Sequence, residues 1–520
     1  MSDRIVILDF GSQFTQLIGR RIRDMHVYCE LLPWNASEAE ALTEETRGII
    51  LSGGPQSIYA ESAPYIQDYI LQSQLPILGI CYGMQALAHQ SGGKVSHGNE
   101  HEYGQTQMKV PYENPLLHLG KQNVWMSHGD HVSNLPEDYV GIAHTSNTPY
   151  AAMANYAQRR FGLQFHPEVA RTEYGSEIIE NFVLNICACR PGWTSRNIIE
   201  ESIETIRAQV GEARVLSALS GGVDSAITTA LVQEAVGDRV TAVFIDTGLM
   251  RHGEREQIET TFRPLLADRL VIVDAAARYF EKLKGVCDPE EKRIIIGEMF
   301  IREFEKAVQD LGDFEFLAQG TIYPDVIESK GVGVNEAHRI KSHHNVSGLP
   351  KDMKFKLVEP LRLLFKDEVR SVGLELGLPK ELVWRQPFPG PGLAVRCLGE
   401  VNPERVATVR HADQIFIEEL EKANLLQTWV DENGIVQGSS QAFATLIPVR
   451  SVGVMGDQRT YAETIVLRAV TSVDFMTADW ARLPYELLAE VSKRIVNEVK
   501  GVNRVVYDVS SKPPATIEWE

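Results

Sequence analysis

The chain has 520 residues, and 70 acidic against 51 basic side chains give it a formal net charge of −19. That balance opposes the basic footprint needed to grip a phosphate backbone, and no run of five or more basic residues occurs, so nucleic acid is not an expected partner. No apolar run reaches the ~18 residues of a membrane span, and Met1-Ser2-Asp3-Arg4-Ile5 lacks a signal-peptide core, so the expectation is a cytoplasmic protein without a membrane partner.

At this length one hydrophobic core stops growing, and roughly three domains of about 150 residues each are expected. With 44% hydrophobic and 23% charged residues, the composition is that of a globular chain rather than a disordered one. The six cysteines are too few and too scattered for a disulfide framework, and Cys187 and Cys189 have no second pair or histidine cluster to make a metal site.

In chain order, residues 5–10, 27–32, 48–52 and 76–80 read as strands, with helical patterns over 13–25 and 84–91. This rhythm predicts an α/β fold, an open and mostly parallel sheet whose ligands lie in the turns after the strands. One such turn is Gly79-Ile80-Cys81-Tyr82-Gly83, where flanking glycines permit a sharp bend and the following helix would stabilise a thiolate. Cys81 is the candidate nucleophile, against the plainer alternative of a small buried cysteine at a tight turn. After a strand-like 161–165 come His166, Pro167 and Glu168, a base for the thiol and an acid to orient that base.

With those three side chains in place, residues 1–192 resemble the class I glutamine amidotransferases. The resemblance implies a flavodoxin-like domain whose Cys81, His166 and Glu168 strip ammonia from the side-chain amide of glutamine through a thioester. It further implies that the N–H groups of Gly54 and Tyr82 receive the oxyanion, and that Gln85, Ser127, His128 and Asp130 hold the substrate. His128 by itself would more often be structural.

Arg190-Pro191-Gly192-Trp193-Thr194 breaks the helical pattern and reads as a linker, followed by an amphipathic helix over 195–210. Then comes Ser220-Gly221-Gly222-Val223-Asp224-Ser225, between the apolar run 215–219 and a helical pattern from 226 to 236. A strand turning through two glycines into a helix aims several backbone N–H groups at one point, with the positive end of the helix dipole behind them. The lysine of the triphosphate-hydrolase loop is absent. Instead the stretch resembles the SGGxDS loop of the ATP pyrophosphatases, which cleave ATP between the α and β phosphates. Residues 240–251 and 316–325 repeat the pattern of a strand followed by a polar turn, and Asp224 and Asp325 are the acids expected near Mg2+. The polar stretch 340–349 reads as a lid carrying Lys341.

Together with Asp246 to Arg251, Gln319 to Ser329 and Lys341 to Asn345, this loop resembles the synthetase half of the GMP synthase family. That resemblance implies a doubly wound ATP pyrophosphatase domain over 193–395, with ATP held by Ser220, Gly221, Gly222, Val223, Asp224, Ser225, Asp246, Gly248, Leu249, Gln319 and Gly320. It implies XMP, ATP and glutamine as substrates and Mg2+ as cofactor, and it makes Arg293, within Asp288 to Arg293, a candidate for the XMP phosphate. The proline- and glycine-rich residues 385–393 form the second boundary. Residues 396–520 read as a small α+β domain with helices over 404–423 and 485–498 and strands over 443–448, 464–473 and 504–509. Two prolines, an isoleucine and a tryptophan in its last ten residues suggest docking rather than fraying. In the family this ending joins the XMP site, here through Lys512, Ile517 and Glu518, and the domain forms a homodimer. Departures from the family pattern are His101, Gln386 and Ser347. Three alternatives stay open: a synthetase adenylating a carboxylate, as NAD synthetases do, a tRNA-modifying relative, and a nucleotide-sensing interaction protein.

Overall fold

The computed structural model describes residues 2–309, 311–330, 355–430, 436–455, 458–472 and 477–520. The expected lid, with Lys341 and Ser347, lies outside them. The chain divides into two compact units, Met1–Ile198 and Ile199–Glu520.

The first unit contains β1 (Arg4–Asp9), α1 (Thr15–Asp24), β2 (Tyr28–Pro33), β3 (Thr46–Leu51), β4 (Ile77–Ile80), α2 (Tyr82–Gln90), β5 (Lys94–Val110), β6 (Gly120–Asn134), β7 (Val140–Ala143), β8 (Ala152–Asn155) and β9 (Arg160–Leu163). Its seven-stranded sheet runs β2-β1-β3-β4-β9-β8-β7. Strands β2, β1, β3, β4 and β9 pair in parallel, while β8 and β7 are antiparallel. Alternation in β1 shows why the sheet is covered on both faces. Ile5 and Ile7 enter one apolar core and Val6 and Leu8 the other, all four fully buried. Strands β5 and β6 form a separate long antiparallel hairpin that sequence patterning did not anticipate.

In the second unit, β10 (Val215–Leu219), α3 (Val223–Val236), β11 (Val240–Asp246), α4 (Glu254–Leu266), β12 (Leu270–Asp274), α5 (Pro289–Gln309), β13 (Phe316–Ala318), β14 (Lys356–Val358) and α6 (Lys366–Glu375) follow in order. The all-parallel sheet runs β12-β11-β10-β13-β14. From β10 the chain winds to one side and then returns to the other, so the switch point lies between β10 and β13, where such sheets bind ligands. The turn after β10 is Ser220–Ser225, and the turn after β13 carries Gln319 and Gly320.

Beyond residue 395 lie α7 (Pro403–Lys422), β15 (Gln441–Met455), β16 (Gln458–Thr471), β17 (Asp479–Trp480), α8 (Tyr485–Glu498) and β18 (Val502–Tyr507). Strand β16 pairs antiparallel with β15 and β17 and parallel with β18. The expected boundary at 395/396 falls inside the second unit. One continuous core there includes Val243 and Leu249 from before that point, Leu393 and Ala394 at it, and Val406, Ala444 and Leu467 beyond it. The proline- and glycine-rich segment 385–393 is packed against this core: Gln386 is 9% exposed, donates to Leu426 O (2.7 Å) and accepts from Ala442 N–H (3.1 Å).

Candidate active sites

Cys81 stands at the start of α2 with φ 50° and ψ −106°, a conformation L-residues rarely adopt. The flanking glycines are needed because of space. A Cβ on Gly79 would lie 2.6 Å from the Gly83 carbonyl, and one on Gly83 would lie 2.4 Å from the Leu51 carbonyl oxygen. Cys81 N–H donates to Leu163 O at 2.7 Å, which ties the bend to β9. Cys81 is only 6% exposed, with Sγ 3.8 Å from Ser127 O and 3.8 Å from Gln164 Nε2.

His166 follows β9 and is fixed from three sides. Its N–H donates to Trp125 O (3.0 Å), its carbonyl accepts from Thr172 Oγ1 (2.6 Å), and its Nδ1 lies 2.7 Å from Glu168 Oε1. Burial favours neutral imidazole. Hydrogen bonds to Cys81 and Glu168, with the charge of both, outweigh it and push the His166 pKa up to about 10. Cys81, His166 and Glu168 are thus brought together, and the His166 imidazolium, held by Glu168, can donate a proton to a leaving amine.

Gly54 and Tyr82 are also neighbours. A Cβ on Gly54 would sit 2.7 Å from Phe10 O and 3.3 Å from Tyr82 Cγ, so only glycine lets that backbone come so near. Gln85 Nε2 donates to Asp130 O at 2.7 Å. The Asp130 carboxylate accepts from Ser57 Oγ (2.6 Å) and lies 2.6 Å from His97 Nδ1. Burial raises its pKa, and these two partners more than offset that, holding it below the usual carboxylate value. His128 is buried with Nε2 3.3 Å from Glu102 Oε2, and Glu102 accepts from Thr145 (2.8 Å) and Thr148 (2.6 Å). Sequence reasoning missed Glu102, whose only signal was an acidic residue on the inward face of an alternating strand.

In the second unit Gly221 has φ +82°, as the turn requires. Ser220 Oγ and Ser225 Oγ are 3.0 Å apart, and Gly222 N–H donates to Ser220 Oγ at 3.3 Å. Val223 and Asp224 open α3. The Cβ that Gly320 lacks would meet Asp224 C at 2.8 Å, so the turns after β10 and β13 touch through backbone. Asp246 accepts from Gly248 N–H (3.0 Å) and Arg255 (3.0 Å), and Leu249 N–H donates to Thr247 Oγ1 (3.2 Å). Gln319 N–H donates to Val358 O at 3.0 Å.

Lys366, at the start of α6, was not singled out from sequence. Its Nζ lies 2.6 Å from each Asp224 carboxylate oxygen, placing a cation at the turn that lacks the usual loop lysine. Asp325 Oδ2 accepts from Ile322 N–H at 3.1 Å. Among the described residues no group of three or more His, Cys, Asp or Glu side chains is arranged to hold a metal, and the Cys187 and Cys189 thiols are buried and free.

The last residues are docked on their own chain. Lys512 and Ala478 exchange backbone hydrogen bonds (2.7 and 3.0 Å), and Ile517 packs against Phe443, Val470 and Ala478. Arg468, fully buried, donates to the carbonyls of Ser510 (2.6 Å), Thr516 (3.2 Å) and Ile517 (3.4 Å). Glu518 accepts from Arg396 (2.9 and 3.2 Å) and Gln441 (2.8 Å), while Glu520 lies 2.5 Å from the buried Lys292, beside Arg293. Arg293 itself pairs with Glu290 on the same helix.

Residues 6–186 match the model of the class I glutamine amidotransferases, the class to which the flavodoxin-like sheet and its cysteine elbow already point. Residues 428–519 match the GMP synthase C-terminal domain. Over 521 residues the chain is 54% identical to the GMP synthase [glutamine-hydrolyzing] of Thermomicrobium roseum, covering 100% of this chain and 97% of that protein. It is 54% identical to that of Carboxydothermus hydrogenoformans, with 100% of each covered, and 52% identical to that of Vibrio parahaemolyticus, with 99% and 98% covered. The chain belongs to the glutamine-hydrolysing GMP synthase family. No helix among the described residues is long and apolar enough to cross a membrane.

Proposed function

We propose that this chain makes GMP from XMP, ATP and glutamine, releasing AMP, pyrophosphate and glutamate. The observation that carries the reading is one chain, of this family, holding both the Cys81, His166 and Glu168 arrangement and the two-glycine turn Ser220–Ser225. A source of ammonia and a site that activates its acceptor are useful chiefly together.

In the first reaction Cys81 Sγ attacks the amide carbon of glutamine held by Gln85, Ser127, His128 and Asp130. The Gly54 and Tyr82 N–H groups receive the oxyanion, and His166, held by Glu168, protonates the leaving ammonia. Water then cleaves the thioester to glutamate. In the second, Ser220, Gly221, Gly222, Val223, Asp224 and Ser225 hold the outer phosphates of ATP, with Asp246, Gly248, Leu249, Gln319 and Gly320 around the nucleoside. The purine O2 of XMP attacks the α-phosphorus, pyrophosphate leaves, and ammonia attacks C2 to expel AMP. Arg293, Lys341, Lys512, Ile517 and Glu518 hold XMP. Asp224, whose carboxylate pairs with Lys366 here, and Asp325 would hold Mg2+, which needs only one or two carboxylates beside substrate phosphates and would neutralise charge on departing pyrophosphate.

The three-part division 1–192, 193–395 and 396–520, a homodimer through the last part, and action in the cytoplasm complete the proposal. The purine absorbance change on mixing XMP, ATP, Mg2+ and glutamine tests it. Cys81→Ala should abolish that change with glutamine and leave it intact with ammonium salt. Loss with both nitrogen sources would contradict two separable reactions.

A further inference from the structure

We propose that Arg396 is a positioning residue for XMP, acting through Glu518; this rests on the reading above, in which Glu518 meets the purine. Arg396 is 0% exposed, a place in which a cation must be paired to be tolerated. It faces two carboxylates and two rings. Its Nε and NH2 donate to Glu518 Oε2 (3.2 Å) and Oε1 (2.9 Å), the two-pronged grip in which a guanidinium fixes the plane of a carboxylate. Its NH1 lies 3.7 Å from Asp413 Oδ1, and its plane is covered by Phe443 at 4.2 Å and Phe388 at 5.1 Å. Arg251 stacks on Phe388 at 4.5 Å and lies 3.7 Å from Asp413, so two arginines and two acids balance around one ring.

The geometry is asymmetric. Asp413 already accepts from Ala444 N–H at 3.0 Å and is buried, whereas the Glu518 side chain keeps 22% of its surface open. A carboxylate offers about four lone-pair directions, and Arg396 and Gln441 use three, leaving one oxygen direction for a ligand N–H. Arg396 therefore fixes the plane of the carboxylate and the direction of its remaining oxygen lone pair, as recognition of a purine N–H demands. Lysine would keep the charge and lose the fork.

The test uses the full-length enzyme with ammonium salt as nitrogen source and compares Arg396→Lys, Glu518→Gln and the double variant. Expected are a rise of about tenfold or more in KM for XMP in each single variant, KM for ATP within about twofold of the parent, and a double variant no worse than either single one. If Glu518→Gln leaves KM for XMP unchanged, the reading of Glu518 at the purine fails and the proposal with it. If Glu518→Gln raises it but Arg396→Lys does not, or if Arg396→Lys raises both KM values alike, the positioning role alone is overturned. Should Arg396→Lys not fold, Phe388→Leu, which removes one ring from the guanidinium, serves in its place. A rise in KM for XMP alone supports the role, and no rise overturns it.

Discussion

Cys81 holds its backbone at φ 50° with a Cβ attached, an arrangement that costs about 1–3 kcal/mol and persists because β4, β9 and α2 fix it. Cys81→Gly should therefore be more stable than Cys81→Ala by about 1 kcal/mol, as a comparison of their denaturant midpoints would reveal; equal midpoints would mean the bend is relaxed. His166 bears on pH. Its folded-state pKa is raised from 6.5 to about 10, so its contribution to stability is complete below 6.5 and is lost as pH climbs through about 10. Removing the Glu168 charge lowers that pKa. Glu168→Gln should move the alkaline limb of glutamine hydrolysis to lower pH and slow it by about a hundredfold, read from a pH–rate profile; an unmoved limb would put the control elsewhere. The meeting of Cys81, His166 and Glu168 was legible because each sits beside a strand end with its own turn signal. Lys366 was not, since it acts 142 residues from Asp224 and no local pattern marks it. Arg396 and Lys292 were hidden likewise, as lone cations whose burial only the packed chain reveals.

At the scale of elements, the strands buried on both faces were legible as apolar runs bounded by turns, and β1, β4, β10 and β11 fall close to where the patterning puts them. The hairpin β5–β6 was not, because only one of its faces is apolar and its alternation is broken by shifts of register near Lys94 and His97. It nevertheless carries Ser127, His128 and Asp130. In the second unit the close backbone approach of Gly320 to Asp224 makes a further prediction. Gly320→Ala places a methyl 2.8 Å from Asp224 C and 2.9 Å from Ser225 N, so the two turns must separate. Thermal unfolding should report a loss of about 1–3 kcal/mol, and KM for ATP should rise; an unchanged KM would mean the turns after β10 and β13 do not share the nucleotide.

Across the whole molecule, proline and glycine mark a linker near residue 192, and the two compact units divide between Ile198 and Ile199. Residues 385–393, of the same composition, are packed, their carbonyls and side chains finding partners: Arg251 donates to Gln386 O (2.8 Å) and Pro387 O (2.9 Å), and Arg385 reaches Gly221 O and Glu254 beside the two-glycine turn. Proline and glycine fix where the backbone bends and say nothing of what the bend is packed against. Since each unit has its own core, calorimetry of the full chain should resolve two transitions. Mg2+ and ATP at about a hundred times Kd should raise only the second unit's transition, by about 2.7 kcal/mol, and a single transition would contradict separate cores. The central claim is that a thiolate supplies nitrogen to a purine activated by adenylation. The most direct measurement gives the enzyme XMP, ATP, Mg2+ and glutamine labelled with 15N at the side-chain amide, and follows all products. The account predicts labelled GMP with AMP and pyrophosphate in equal amounts; unlabelled GMP, or ADP and orthophosphate in place of AMP and pyrophosphate, would contradict it.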